Sequence, residues 1–533
     1  MNNSRFDLGP KIFEKKKQVR KDDKFFPKKQ HQKKELEIKS KEPEIKNQTN
    51  YQETEVENKV NVKGPKILKK GTRYKVIFCD YTHEGLGICK INTLNEKNEE
   101  LTNFPVFVFG ALKGEEGWIE ITRVNKTYAY ASLLTLFSEN RSKYRNLPQC
   151  SAYEKCGGCN IMHMTYLGQL LFKEELIKET MKKIGGFENI EIRPIIKMDN
   201  VPLFYRNKVQ VPVGSIKNKN ICGFYKRDTH EIIPLSTCYI QSEEATEIVK
   251  FTKNILTEKG VKGYNEIDKT GELKHIILRK NALESEIMII LVVKSYPFTT
   301  NNILKEIVDK IIKRYPNVKS IVANINQTTT NVILGDECVN IYGDGYITDQ
   351  LCNLNFRIGP KSFYQVNHDQ CEKLYKTAIE LAKLNKDEII IDAYCGIGTI
   401  GLIAANSVKE VYGVEIIDEA IKNAKVNAKI NKITNATFVC GKAEEQIEKW
   451  MRQEIKPTTI FVDPPRKGCD EKFLETIVKM QINKVVYVSC DPATLARDIK
   501  YLSKNGYYLD IVQPVDMFPQ TNHVECIVLL QRK

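Results

Sequence analysis

Ile389-Ile-Ile-Asp-Ala-Tyr-Cys-Gly-Ile-Gly-Thr399 is an apolar run that empties into a glycine turn. Short apolar runs bounded by turn residues read as buried strands. Gly396, Gly398 and Gly401 have G-x-G-x-x-G spacing, a common way to bring backbone close to a nucleotide-like ligand. Outward from this turn, strand and helix alternate. A helix over 368–384 precedes strand 388–393. Strand 410–415, helix 418–431, strand 436–440, strand 458–463, helix 470–479 and strand 484–489 follow, and 507–514 and 524–531 close the set. Repeated βα units predict an α/β domain over 359–533, a doubly wound, Rossmann-like parallel sheet with right-handed crossovers.

Such sheets bind ligands at the carboxyl ends of their strands. Glu415 ends Val411-Tyr-Gly-Val-Glu415 and is suited to accept both hydroxyls of a ribose. A dinucleotide dehydrogenase carries the same two parts, so the discriminating feature is Asp463-Pro-Pro-Arg466 at a third strand end. Hydride transfer has no use for that loop, whereas methyltransferases acting on nucleic acids often carry one. A fourth strand end, Val485-Val-Tyr-Val-Ser-Cys490, delivers a thiol to the same rim. A pyrimidine C5 is barely nucleophilic, and thiolate addition at C6 makes it an enolate carbon able to take a methyl group. A base must then remove the C5 proton. Glu525, in Phe518-Pro-Gln-Thr-Asn-His-Val-Glu525, is the candidate base and His523 its rival.

Together, Asp392-Ala-Tyr-Cys-Gly-Ile-Gly-Thr399, Asp463-Pro-Pro-Arg466, Ser489-Cys-Asp-Pro-Ala-Thr494 and His523-Val-Glu525 resemble the RNA (uracil-5-)-methyltransferases of the 23S ribosomal RNA type. Ser362-Phe-Tyr-Gln-Val-Asn367 resembles that family's additional cofactor motif. The resemblance covers residues 71–533. It implies that Gln365, Tyr394, Glu415 and Asp463 bind S-adenosylmethionine, that Cys490 is the nucleophile, and that Glu525 accepts the proton. Thr399 stands where some relatives carry asparagine and is not counted as a ligand. The implied product is 5-methyluridine in 23S rRNA. The alternatives are a tRNA substrate, or an RNA-binding or assembly factor with an inactive methyltransferase domain.

Upstream, 71–135 reads as short strands separated by turns, a five-stranded barrel of the OB type. Gly85-Leu-Gly87 and Gly110-Ala-Leu-Lys-Gly-Glu115 make it resemble the TRAM domain. Residues 136–358 read as a β-rich α+β domain with an amphipathic helix around 166–184. Within it, Cys150-Ser-Ala-Tyr-Glu-Lys-Cys156-Gly-Gly-Cys159 has C-x5-C-x2-C spacing and needs a distant fourth ligand. Cys238 is the best candidate and matches the family's fourth ligand, with Cys222 the alternative. Spacing alone leaves zinc and iron–sulfur open; the resemblance implies a [4Fe–4S] cluster. Cys395, in the cofactor turn, has no assigned role, and the other cysteines outside the two sites are expected in cores.

Composition bounds the rest. The 533 residues carry a net charge of +15, and residues 1–70 hold 20 Lys/Arg against 11 Asp/Glu. That basic segment is too poor in apolar residues to fold, so a disordered tail with affinity for polyanions is expected. Fifteen cysteines with no apolar leader predict reduced thiols in a cytoplasmic protein. The longest apolar runs are too short to span a membrane. A monomer acting on RNA is expected.

Overall fold

The computed structural model describes residues 66–533 apart from 217–218, 235 and 297–300. The expected basic tail lies almost wholly outside the described residues. Among them no helix is long and apolar enough to cross a membrane.

The first module is a six-stranded sheet rather than the expected five strands. Its strands are Arg73–Ile77, Asp80–Tyr81, Gly87–Leu94, Glu100–Val108, Glu116–Val124 and Ala129–Leu136. The extra member, Asp80–Tyr81, is too short to show a periodicity in sequence. Alternate residues such as Cys89, Ile91, Val106, Val108, Ile119 and Ile121 point inward and form the core. A second sheet of seven strands follows, antiparallel except where Ile287–Val293 pairs with Val318–Ile325. Helices Glu243–Glu258 and Asn301–Arg314 accompany it.

The third module holds the glycine turn. Its strands are β1 (Ile389–Ala393), β2 (Glu410–Glu415), β3 (Ala436–Cys440), β4 (Thr459–Val462), β5 (Lys484–Ser489), β6 (Tyr507–Val515) and β7 (Glu525–Arg532). Their order is β3-β2-β1-β4-β5-β7-β6. All neighbours are parallel except β7, which runs antiparallel to both β5 and β6. The helices are α1 (His368–Ala382), α2 (Thr399–Ala405), α3 (Asp418–Ile430), α4 (Ala443–Arg452), α5 (Glu471–Met480) and α6 (Pro492–Lys504). Residues of α1, α2 and α3 pack with Val486, Val488, Ile527 and Leu529 on one face. Residues of α4, α5 and α6 pack with Val485, Tyr487, Val528 and Leu530 on the other. Alternating side chains of a parallel strand thus feed two cores, which makes its sequence a continuous apolar run.

Helices α2, α4 and α6 are additions to the expected list. Thr399-Ile-Gly-Leu-Ile-Ala-Ala405 is too short and apolar to show a 3.6-residue period. Helix α6 starts with Pro492 directly behind the Asp491 cap, a favoured helix start masked by the adjacent thiol motif.

Residues upstream of 359 also contribute to the third sheet and its core. Glu191–Ile192 adds an eighth strand to the third sheet, beside β6. Helix Tyr166–Thr180 sends Leu170 and Ile177 into the same core as α6. An amphipathic helix read alone names no partner sheet, so the sequence pattern leaves this segment with the central module.

Candidate active site

The turn after β1 is built on unusual backbone. Tyr394, Gly396 and Gly398 have φ of 61°, 54° and 82°. A non-glycine residue in the left-handed region stores strain and is concentrated at functional sites. At Gly398 a Cβ would stand 2.9 Å from the Phe438 ring, so the turn is also sterically restricted to glycine. The Gly401 N–H donates to Asp392 Oδ2 at 2.8 Å, which ties the start of α2 back to β1. Glu415 accepts from the Gly396 N–H at 3.2 Å and from the Ile417 N–H at 3.1 Å.

These carboxylates crowd one rim. Burial, with smaller contributions from Asp463 and Glu415, pushes Asp392 up to about 7. Asp463, one residue beyond β4, is raised to about 7 by burial. Its loop is pinned onto α6: Thr494 Oγ1 donates to the Arg466 carbonyl at 3.1 Å, and the Cys469 N–H donates to Asp498 Oδ2 at 2.8 Å. Tyr394 turns its ring onto Phe473 at 5.3 Å between centroids. Gln365 is buried, and its carbonyl accepts from Asn207 Nδ2 at 3.0 Å. Among the described residues no hydrogen bond joins Gln365 to the Asp392, Glu415 and Asp463 group.

Cys490 and Glu525 meet through strand register. Ser489 pairs with Cys526 in the antiparallel β5–β7 ladder. One step further brings Cys490 opposite Glu525, on one face, where Cβ atoms lie about 5 Å apart. Burial raises Cys490 to about 12, the Glu525 charge adds to this, and Arg466 opposes it. Glu525 is 3 % exposed, and burial lifts it to about 8, with Asp463 adding and Arg466 opposing. His523 is lowered to about 4 by burial and nearby cations, chiefly Arg466, so it is neutral at pH 7. Arg466 Nη2 stands 3.4 Å from His523 Nε2. Arg466 therefore acts electrostatically on all three groups. In sequence it is only the end of the Asp463-Pro-Pro-Arg466 motif, and its proximity depends on the loop's docking to α6.

Cys150, Cys156, Cys159 and Cys238 line one cavity of about 310 Å³. Cys159 is raised by burial and then by Cys238, Cys156 and Cys150, so the four feel one another. Nevertheless, among the described residues no group of three or more His, Cys, Asp or Glu stands close enough to hold a metal ion. Arg227 donates to the carbonyls of Cys156 and Cys159, both at 3.3 Å, and its guanidinium lies 3.9 Å from the Phe109 ring centroid. Cys222 is buried in the core of the second module, away from the lining of this cavity. Cys79 and Cys440 were expected in cores and are exposed; each occupies an outward position of its segment.

The sequence model of the tRNA (Uracil-5-)-methyltransferase family matches residues 329–533, and that of the TRAM domain matches 68–134. An RNA methyltransferase of Bacillus cereus is 44 % identical over 465 residues, covering 87 % of this chain and 98 % of its own. One of Clostridium acetobutylicum is 44 % identical over 469 residues, with the same coverage. The crystal structure of the Pyrococcus abyssi tRNA (uracil-54, C5)-methyltransferase with S-adenosyl-L-homocysteine superposes with a TM-score of 0.66 at 25 % identity. It covers 86 % of this chain and 99 % of that one. The chain belongs to the RNA (uracil-5-)-methyltransferase family and is an S-adenosylmethionine-dependent RNA methyltransferase with an N-terminal TRAM domain.

Proposed function

We propose that this enzyme methylates C5 of uridine in 23S rRNA through a covalent adduct on Cys490. The observation that carries this reading is the β5–β7 register, which sets a thiol opposite a buried carboxyl at the carboxyl end of β5. S-adenosylmethionine supplies the methyl group as an electrophile. Gln365, Tyr394, Glu415 and Asp463 would hold it. Each Glu415 oxygen accepts one backbone N–H, which leaves acceptor capacity for ribose hydroxyls.

Cys490 Sγ, as thiolate, bonds to C6 and drives the C5–C6 electron pair onto C5, which takes the methyl group as its bond to sulfur breaks and S-adenosylhomocysteine leaves. Glu525 receives the C5 proton. The electron pair of that C–H bond restores C5=C6, and the C6–S bond breaks to return the thiolate. With its pKa raised, Cys490 is a neutral thiol before substrate arrives; its proton passes to solvent as it attacks, and Arg466 favours the charged form. The elevated Glu525 is a stronger base than a solvated carboxylate and is suited to a carbon acid.

The cysteine cavity supports a [4Fe–4S] site by its chemistry: four free thiols from two segments, with arginine close by. Cys150, Cys156, Cys159 and Cys238 would draw together on binding. The cluster's role would be structural, since methyl transfer needs no electron. Iron and sulfide in anaerobically purified protein are expected; stoichiometric zinc would refute the assignment.

A second substrate reading rests on the likeness to the archaeal tRNA methyltransferase, which spans all three modules. Labelled methyl donor offered with 23S rRNA and with tRNA separates the two. Incorporation at C5 of uridine in rRNA alone is expected. Incorporation into tRNA alone would reassign the substrate, and none in either would remove the enzymatic reading.

A further inference from the structure

The segment from Asp516 to Val524 joins β6 to β7 and ends directly at Glu525. It has no strand pairing over 520–523, and Gln520 has φ of 71°. Its shape is set from outside. Asn160, next to Cys159, forms a reciprocal pair with Asn522. Asn160 Nδ2 donates to Asn522 Oδ1 at 2.6 Å, and the Asn522 N–H donates back to Asn160 Oδ1 at 2.9 Å. The same two amides reach the barrel module: Asn160 Nδ2 donates to the Glu84 carbonyl and Asn522 Nδ2 to the His83 carbonyl, each at 3.0 Å. The N–H groups of Asn160 and Ile161 both donate to the Gln520 carbonyl at 3.2 Å. A second reciprocal pair lies behind it: Gln520 N–H to Gln169 Oε1 at 2.8 Å, and Gln169 Nε2 to Gln520 Oε1 at 2.9 Å. Deeper still, Lys173 Nζ, fully buried, meets Asp516 Oδ1 at 2.5 Å and the Phe518 carbonyl at 3.1 Å.

We infer that Asn160 is a positioning residue for the methylation step, acting with Asn522 to set the segment that presents Glu525. The inference rests on Glu525 being the proton acceptor. The barrel and the methyltransferase sheet have their own apolar cores, whereas the Asn160–Asn522 pair is only half-buried. What the pair fixes is the path of the chain three residues before the base. A misplacement of about 1 Å in a reacting group can cost on the order of 100-fold in rate. Through this pair, the cysteine loop and the barrel are joined to the proton-removal step.

The test is Asn160→Ala, Asn522→Ala and the double variant in the full-length enzyme, with Glu525→Gln alongside. A misplaced Glu525 slows proton removal after the methyl group has arrived, so a methylated protein–RNA adduct should persist on denaturing gels. We expect kcat to fall about 10- to 100-fold in either single variant, with KM for S-adenosylmethionine unchanged and the adduct visible. The double variant should lose no more than the single ones, because one paired element is removed in each. A kcat within twofold of the parent, or a lower kcat without adduct, overturns the positioning role. If Asn160→Ala does not fold, Asn160→Asp keeps the acceptor for the Asn522 N–H, loses both donated bonds, and is read the same way. If Glu525→Gln itself traps no adduct, the proton-acceptor reading fails first and the positioning role falls with it. An adduct with Glu525→Gln but none with the asparagine variants overturns positioning alone.

Discussion

Cys490 and Glu525 stand opposite each other one step beyond Ser489–Cys526, the last pair of the antiparallel β5–β7 ladder. The antiparallel turn of β7 is what achieves this. In a parallel neighbour, the residue beside Cys490 would come from a strand's carboxyl end, as Asp463 does. An antiparallel one instead offers its first residue, so the base is delivered by the chain segment that has just crossed the rim.

Replacing the nucleophile removes the covalent route. Cys490→Ala should lower methyl incorporation by about 10³-fold or more while leaving RNA binding intact. Filter binding and labelled-methyl incorporation measured together check this. Normal turnover in the variant would eliminate the adduct.

Ionisation of the base should govern the pH profile. Glu525 is raised to about 8 and must be charged to accept a proton. Single-turnover rates should therefore climb with pH most steeply below pH 8, and less steeply above it, where only formation of the Cys490 thiolate still adds to the rate. In Glu525→Gln that limb should vanish together with the turnover; a limb that survives points to His523 or another group.

Stability carries the opposite sign. A carboxyl whose folded pKa lies above its ordinary value favours the folded state fully at low pH, and loses that contribution as pH rises toward the folded pKa. For Glu525, that window runs from its ordinary range to about 8, at about 1.4 kcal/mol per pH unit at most. Asp392 and Asp463, raised to about 7, act in the same direction. Thermal midpoints should decline across pH 5–8 in the parent and less steeply in Glu525→Gln. Equal slopes would mean that Glu525 is not elevated.

Arg466 favours the Cys490 thiolate and opposes the elevation of Glu525. Arg466→Ala should slow alkylation of Cys490 by iodoacetamide at pH 8 several-fold, and shift the rate limb of the pH profile upward. Mass spectrometry of the Cys490 peptide measures the first effect. An unchanged alkylation rate would show that the guanidinium does not act on the thiol.

Gly398 cannot accept a side chain without moving Phe438 and adopting left-handed backbone. Gly398→Ala should cost about 1–3 kcal/mol of stability and raise KM for S-adenosylmethionine more than it lowers kcat. Calorimetric titration of the cofactor reads this directly; unaltered affinity would place the ligand away from the turn.

The chain's sequence determined the strand ends and much of their chemistry. Ile389–Thr399, Thr459–Arg466 and Val485–Cys490 combine apolar runs with turn residues, and those preferences act within a few residues of backbone. The two apolar faces of β5 were also implied by its unbroken hydrophobic run. Helix α2 was not legible because seven residues span barely two turns. The Tyr166–Thr180 helix was visible, but its partner was not.

Tertiary structure decided what lies together. Opposition of Cys490 and Glu525 follows from the register of two strands separated by the whole of α6 and β6, and no local propensity encodes it. The Asn160–Asn522 pair closes over 362 residues and Lys173–Asp516 over 343. Each of these contacts joins residues far apart in the chain, so each amide or charge gains its partner only through tertiary packing. Gathering of Cys238 with Cys150, Cys156 and Cys159 around one cavity, and the burial of Cys222 elsewhere, have the same origin. Sequence fixes which groups are present and which strand ends carry them; the docking of distant segments sets their distances and their acidities.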